Sequence, residues 1–224
     1  MNHFLFLYPT TEYMDYEIEQ GARLHRALLD EDDGRFDNRW KEISSEEERV
    51  ALLAEIKQFM EQTFREEYGA MLNACIDLRY RKKGFQINYA LFDDTEVSDK
   101  VILQPTDNII RVGLDYVTHT TKVDGEYPYP NQDYILDQLG QPEKLRVAGF
   151  HEDCVGKLAR RAYERGMDVL VDEDLTEFFI SRIRRPDFRL DTYPSVDRRS
   201  EIGPELFEIS IELRRDKPWL LRDY

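Results

Sequence analysis

The chain has 224 residues, 41% of them hydrophobic, which is enough for one domain with a sizeable core. Its formal net charge of -15 disfavours contact with phosphate backbones and anionic lipids, so we expect neither a nucleic-acid nor a membrane partner. It has only two cysteines, no membrane-length apolar run and no basic segment ahead of an apolar one, which predicts a cytoplasmic protein.

The N-terminal half begins with an apolar run. Residues 4–8 are continuously apolar and are followed by Pro9, a pattern typical of a central strand in a parallel sheet. The spacing of apolar residues then predicts a helix over 11–29. These are the first strand and first helix of an expected α/β fold.

A second helix and strand follow. Ser45 and Glu48 form a capping box, and apolar residues at helical spacing continue from there to Arg79. Residues 85–92 predict the next strand. A hairpin of residues 75–80 with 85–92 is the alternative, because both stretches alternate between apolar and polar residues.

The stretch 144–178 contains a complete strand, helix and strand. Residues 145–150 are a short apolar run, and Gly166 stands where a helix commonly ends in the left-handed conformation. Residues 167–171 form a second apolar run. Between them, five residues lie at i, i+3, i+4, i+7 and i+8 on one helical stripe: Val155, Leu158, Ala159, Ala162 and Tyr163. This βαβ unit predicts a parallel sheet.

Cys154 is the candidate for chemistry in this unit. With Asp153 as the predicted N-cap, the thiol falls in the first turn of the helix, where unpaired N–H groups and the helix dipole favour a thiolate. Ligands of open parallel sheets bind at this point, beyond the carboxyl end of a strand. The alternative is a half-buried cysteine that fills a small space.

The run from Arg146 to Asp172, with Cys154 opening a helix and Gly166 preceding a Val-rich strand, resembles the isochorismatase-like cysteine hydrolases, the superfamily that includes nicotinamidases. Upstream, Lys122 followed by residues 134–139 resembles that family's catalytic lysine and the short helix after it. The resemblance extends over about 122–178 and depends on the order and spacing of the motifs.

The resemblance implies a doubly wound, three-layer α/β sandwich with a parallel sheet, here with extra N-terminal helices. It implies that Cys154 is the nucleophile and Lys122 supports its thiolate, delivered to the same sheet edge by a strand near 114–120. Backbone N–H groups around His151, Asp153 and Val155 would stabilise an oxyanion, and Tyr129 would line the pocket.

The first strand departs from the family, which ends it with an aspartate that acts as general base. This chain has Tyr8-Pro9-Thr10 there, so Asp93, Asp94 and Glu12 become the candidates for a replacement base. His151 also stands where the family commonly has threonine. The four histidines are not paired at ligand spacing, and we expect neither a metal nor a cofactor.

The C-terminal region differs from the rest in composition. Residues 186–204 are rich in Asp, Arg, Ser and Pro, which indicates a surface segment. Residues 207–213 alternate between apolar and polar, which predicts a half-buried strand that pairs with its own sheet or with a second subunit. We therefore expect an α/β domain over 1–185, an extension over 186–224 and a homo-oligomer.

Two functions follow from these patterns. The first is a cysteine hydrolase that attacks an amide-type C–N bond of a small molecule through Cys154. The second is a catalytically inactive relative with a binding or regulatory role. A metal-dependent nuclease that uses Asp172, Glu173 and Asp174 is a weaker third possibility, since such clusters at strand ends are usually solvated helix caps.

Overall fold

The computed structural model describes residues 1–32, 43–176, 179–183, 187–195 and 203–220. The strands are β1 (Asn2–Leu7), β2 (Gln86–Leu91), β3 (Asn108–Arg111), β4 (Lys144–Gly149) and β5 (Val169–Val171). The helices are α1 (Thr11–Asp32), α2 (Glu46–Arg79), α3 (Tyr116–Thr120), α4 (Gln132–Leu139), α5 (Glu152–Glu164), α6 (Phe179–Arg182) and α7 (Pro204–Arg214). Within these ranges, no helix is long and apolar enough to cross a membrane.

The five strands form one sheet in the order β3-β2-β1-β4-β5, and every pairing is parallel. The predicted α/β fold with a parallel sheet is therefore confirmed. From β1 the chain moves outward to β2 and β3, then crosses to β4 and β5 on the other side. The order thus reverses between β1 and β4, and a crevice for ligands is expected beyond the carboxyl ends of these two strands.

The apolar run of β1 is continuous because both faces of the sheet are covered. Leu5 and Leu7 belong to a buried cluster with residues of α4 and α5. Phe4 and Phe6 point the other way, into a cluster with residues of α1 and α2. The period of two along a strand thus assigns alternate residues to two helical layers, and β1 is buried between them.

Gly149, the last residue of β4, lies against β1. A Cβ at this position would be 2.9 Å from the Leu7 Cβ and 3.0 Å from the Leu7 carbonyl oxygen. We expect Gly149→Ala to lower the free energy of unfolding by roughly 1–3 kcal/mol, because β1 and β4 would have to separate. Denaturant unfolding measures this.

Gly156→Ala is the matched control for Gly149→Ala. Gly156 lies inside α5, and a Cβ there would meet no atom within 4 Å. Because alanine is the better helix former, we expect this variant to gain up to about 1 kcal/mol. Equal stability of Gly149→Ala and the wild type would show that β1 and β4 are not closely packed at this point.

The predicted strand near 114–120 is wrong, and α3 occupies this region. Asp115 caps the helix, since its carboxylate accepts hydrogen bonds from the Thr118 N–H at 2.7 Å and from the Thr118 hydroxyl at 2.7 Å. This local capping outweighs the β propensity of the Val and Thr residues. The hairpin alternative for 75–80 is also wrong, because α2 continues to Arg79 and ends before β2.

The predicted C-terminal strand over 207–213 is wrong as well, since α7 spans this segment. Pro204 lies in the first turn after Gly203, the position where proline favours a helix start. Phe207 is buried whereas Ile209 is 54% exposed, so the alternating pattern does not correspond to one buried face. Beyond α7, the carbonyl of Trp219 accepts a hydrogen bond from the Val171 N–H of β5 at 2.9 Å.

A buried group of arginines and carboxylates lies at the end of β5. Arg79 Nη1 is 3.2 Å from both Asp172 Oδ1 and Asp174 Oδ2, and all three side chains are at most 4% exposed. Arg214 is 2.9 Å from Glu173 in the same region. Asp172 does cap the short 3-10 helix Glu173–Leu175, since its side chain accepts from the Asp174 and Leu175 N–H groups, but the expected solvation of these carboxylates is wrong. These carboxylates are buried and paired with arginines.

Candidate functional site

Seven polar or sulfur-bearing side chains gather beyond the carboxyl ends of β1 and β4. We call them the switch-point cluster: Tyr8, Tyr13, Tyr116, His119, Tyr129, His151 and Cys154. Tyr8 directly follows β1, and His151 and Cys154 stand at the start of α5, next to β4. The parallel sheet brings these three together, because Leu7 and Gly149 are partners at the ends of β1 and β4.

Cys154 lies in the first turn of α5, as predicted, but its sulfur is buried. The residue is 9% exposed and belongs to the apolar cluster beneath α4 and α5. Burial raises the pKa of the Cys154 thiol to about 12, and the Asp153 carboxylate raises it further, whereas Lys157 acts in the opposite direction. At neutral pH the side chain is therefore a neutral thiol.

The helix begins differently from the prediction. His151 is the N-cap residue, and its side chain makes no capping hydrogen bond. Asp153, the predicted N-cap, lies one residue inside α5, and its carboxylate accepts hydrogen bonds from the Tyr129 hydroxyl and from Lys157 Nζ, the latter at 2.7 Å. These partners lower the pKa of Asp153, with the Lys157 contact as the larger cause, so it stays ionised.

Lys122 lies in the turn after α3, exposed to solvent. Its Nζ is 5.1 Å from the centre of the Tyr127 ring. Lys122 is not among the charges that shift the pKa of Cys154, and the ammonium group that does so is Lys157. Lys122 was expected at the sheet edge because a strand was predicted near 114–120. This region forms α3 instead, and Lys122 therefore lies elsewhere.

The three candidate bases lie elsewhere in the loops around the cluster. Asp93 Oδ1 accepts a hydrogen bond from the Gly113 N–H at 2.9 Å, and Asp94 Oδ1 accepts one from the Tyr116 N–H at 2.8 Å. Both therefore brace the loops after β2 and β3. Glu12 is exposed and lies near Tyr13 and Tyr116, whose pKa values it helps to raise.

Aromatic rings line the switch point. The Tyr8 ring stacks on Phe92 with centroids 4.4 Å apart. Tyr13 meets His151 edge to face at 4.9 Å and Tyr116 at 5.6 Å. Because Tyr13 and His151 are half-buried, these rings form the outer boundary of the cluster. Cys154 belongs to the same apolar cluster as Tyr8, and Tyr13 and Tyr116 pack against that cluster.

Tyr8 has an uncommon backbone conformation. Its φ is 59°, in the left-handed region, which costs of order 1–3 kcal/mol for most residues other than glycine. The Tyr8 N–H donates to the Ala90 carbonyl at 2.9 Å, and this contact with β2 helps to hold the turn. The conformation places a tyrosine at the strand end where the hydrolase family has its aspartate.

The switch-point cluster contains two histidines, His119 and His151. His119 is 6% exposed, and its Nδ1 lies 2.7 Å from the Pro128 carbonyl oxygen. Since a carbonyl only accepts, Nδ1 carries the proton. Burial lowers the pKa of His151, and the nearby His119 imidazole acts in the same direction. His151 is therefore neutral at neutral pH.

The proposed oxyanion donors are partly used within the helix. The Val155 N–H donates to the His151 carbonyl at 3.2 Å, so it is not available to a ligand. In the ranges that the structure covers, the N–H groups of Glu152, Asp153 and Cys154 have no acceptor from another residue. The Cys154 N–H faces the residue's own sulfur, so the start of α5 keeps the Glu152 and Asp153 N–H groups as donors for a ligand.

A groove of about 1010 Å³ adjoins the cluster on the outer side of α5. It extends from His151 past Gly156 to Trp219, which lies 5.8 Å from the Tyr163 ring. His151 borders both the groove and the switch-point cluster. Among the described residues, no three His, Cys, Asp or Glu side chains are grouped as metal ligands.

Sequence patterns missed Tyr8, Tyr13, His119 and Lys157. Lys157 was open to prediction, because it lies one turn after Asp153 on the same face of a helix. The position of Tyr8 at the site could also have been predicted, because residues that directly follow adjacent parallel strands lie at the same edge of the sheet. Tyr13 and His119 had none, because their positions depend on how α1 and α3 approach the sheet.

Comparison of the chain with protein-family models, curated proteins and solved structures gave no significant match. The likeness to the isochorismatase-like hydrolases therefore stays a prediction from the residues between 122 and 178. The function has to be argued from the site itself.

Proposed function

We propose that this chain is a divergent isochorismatase-like protein that binds a small molecule at the switch-point cluster and does not hydrolyse it. The observation that carries the proposal is the state of Cys154. Its sulfur is buried among apolar side chains, and its pKa is raised to about 12. A cysteine nucleophile needs a thiolate or a base in contact with it.

The surroundings of Cys154 support the same proposal. The carboxylate that influences its thiol is Asp153, which is ionised and held by Tyr129 and Lys157. Lys122 lies over Tyr127 instead. The residues proposed as the base and as the partner of the thiolate therefore do not fill these roles. The position at a topological switch point still favours ligand binding.

Release of ammonia from a panel of small primary amides tests this proposal. We expect no release by the wild type beyond that of Cys154→Ala, because no thiolate is present to attack. Cys75→Ala is the matched control, since Cys75 is fully buried in the opposite layer of the core. Ammonia release that is lost in Cys154→Ala and kept in Cys75→Ala would overturn the proposal.

A further inference from the structure

We infer that two copies of this chain associate through the free edge of β3, with the two β3 strands antiparallel and the two sheets joined into one. The surface concerned contains no residue of the switch-point cluster, so the inference is independent of the proposed binding function. Three features carry it: an unpaired strand edge, the contrast with the covered edge at β5, and an uncharged surface beside β3.

The first feature is the outer edge of β3. The Val112 N–H donates to the Leu91 carbonyl of β2 at 3.0 Å. Because alternate residues of a strand bond the same neighbour, the N–H and C=O groups of Ile109 and Arg111 point away from β2. The Arg111 carbonyl accepts from Gln138 Nε2 at 3.0 Å. Within the described ranges, the N–H and C=O groups of Ile109 have no partner.

The second feature is that the chain covers the other edge of its sheet, at β5. The Val171 N–H donates to the Trp219 carbonyl at 2.9 Å, and the Val171 carbonyl accepts from the Tyr193 hydroxyl at 2.7 Å. Segments outside the sheet thus satisfy both outward groups of Val171. Unpaired edges promote association with other chains, and proteins cover or charge the edges that have to stay single. Ile109 has no such cover in the part of the chain that the structure describes.

The third feature is the lack of charge beside β3. Residues 101–110 contain one charged side chain, Asp107, although 34% of the residues in the chain are charged. The Asp107 side chain is 2% exposed and lies 2.7 Å from Arg81. Residues 102–106, 108 and 109 are exposed, and we call them the β3 patch. The β3 patch is therefore a neutral surface on a strongly acidic protein.

The β3 patch is also partly apolar. Ile102 is 60% exposed, Leu103 46% and Ile109 40%. Ile109 is the register partner of Tyr89, whose side chain is buried in the layer with α1 and α2. Ile102 lies on the same side, because its N–H donates to Asn73 Oδ1 of α2 at 2.8 Å. Exposed apolar surface beside an open strand edge is typical of a site of protein association.

A second copy of the chain is the partner that these features favour. Two chains of net charge -15 repel each other, so they can associate only where both surfaces are free of charge, and the β3 patch provides this on each copy. Around a two-fold axis at Ile109, the two Ile109 residues form an antiparallel pair that exchanges both N–H···O bonds. Their side chains then lie next to each other on the same face of the joined sheet.

The size of the β3 patch sets the expected affinity. It has seven exposed residues on each copy, fewer than the roughly 20–30 residues on each side of a standard interface. We therefore expect a weak, reversible dimer with a Kd on the order of 10⁻⁴ M.

Sedimentation velocity of the full chain between about 10 µM and 1 mM tests the inference. We expect the dimer fraction of the wild type to rise over this range. Ile109→Lys should weaken association about tenfold or more, because it places like charges opposite each other at the axis. Ile209→Lys is the matched control, since Ile209 is 54% exposed on α7 and this variant should dimerise like the wild type.

Amide hydrogen exchange in the wild type separates strand pairing from a contact between side chains alone. At 1 mM and a Kd of 10⁻⁴ M the monomer fraction falls about fivefold, so exchange of the Ile109 N–H should slow by about that factor. Exchange of the Ile110 N–H, which faces β2, should not change with concentration.

A wild type that is still monomeric at 1 mM overturns the inference. A dimer that persists in Ile109→Lys, or that leaves exchange of the Ile109 N–H unchanged, forms through another surface and overturns it as well. Equal weakening by Ile109→Lys and Ile209→Lys has the same consequence, because it shows a general effect of charge.

Discussion

Replacing Arg79 with methionine should destabilise the protein by about 3–5 kcal/mol, because it leaves Asp172 buried without its counter-charge and leaves Asp174 with Arg182 alone. The loss should be larger than the ion pairs alone suggest. Arg79 Nε also donates to the Leu190 carbonyl at 3.0 Å, and Nη2 donates to the Arg189 carbonyl at 2.6 Å. Denaturant unfolding at neutral pH measures the effect.

Arg65→Met, in the same helix α2, is the control for Arg79→Met. Arg65 pairs with Glu19 at 2.8 Å, but both side chains are at least 40% exposed. We therefore expect a loss of no more than about 1 kcal/mol. Similar losses for the two variants would contradict the account of the buried cluster.

The pH dependence of Arg79→Met follows from Asp172. Burial raises the pKa of Asp172 to about 6, although Arg79 acts to lower it. A carboxyl group with a higher pKa in the folded state takes up a proton on folding, so its stabilising contribution is lost as the pH rises. Without Arg79 the pKa should rise further. The difference in unfolding free energy between the variant and the wild type should therefore shrink from neutral pH to about pH 4.

Alkylation of Cys154 by iodoacetamide in the native protein should be about a thousandfold slower at neutral pH than that of a free thiol. The thiol pKa is raised from an ordinary value of 9.0 to about 12, which lowers the thiolate fraction by about that factor. Cys75, whose pKa is also raised to about 12, should be equally slow, and both should react rapidly in denaturant. Mass spectrometry of the labelled peptides separates the two sites.

Two lysine variants show which ammonium group acts on the Cys154 thiol, Lys157 as in the structure or Lys122 as the resemblance to the hydrolases implies. Lys157→Met should slow the alkylation of Cys154 further, because Lys157 lowers the thiol pKa. Lys122→Met should leave it unchanged. Rapid labelling of native Cys154 that is lost in Lys122→Met would mean that Lys122 supports a thiolate.

Much of the fold was predictable because its signals are local. The apolar run over 4–8 marked a central strand, and the stripe from Val155 to Tyr163 with Gly166 after it marked the βαβ unit. Both are present, and Gly166 has a φ of 79° in the left-handed region. Each of these sequence patterns depends on residues that are neighbours in the chain and on the burial of the sheet on both faces.

The wrong predictions came from residue patterns that are compatible with both a strand and a helix. The alternation over 207–213 and the β-branched residues before Thr120 suit strands, but Pro204 and Asp115 start helices there. The sequence left two alternatives for Cys154, a thiolate and a half-buried cysteine, and could not decide between them, because Tyr8 and Tyr13, which belong to or pack against the same cluster, are far away in the sequence. The position of Cys154 in the first turn of α5 was therefore predicted correctly, whereas the charge state of its thiol was not.

The charge state of Cys154 tests the central claim most directly. The ¹³Cβ chemical shift of Cys154 can be followed by NMR as the pH is raised. We expect it to keep its thiol value through neutral and mildly alkaline pH, since the pKa is about 12. A titration step at or below the ordinary thiol pKa of 9.0 would contradict the account and restore Cys154 as a candidate nucleophile.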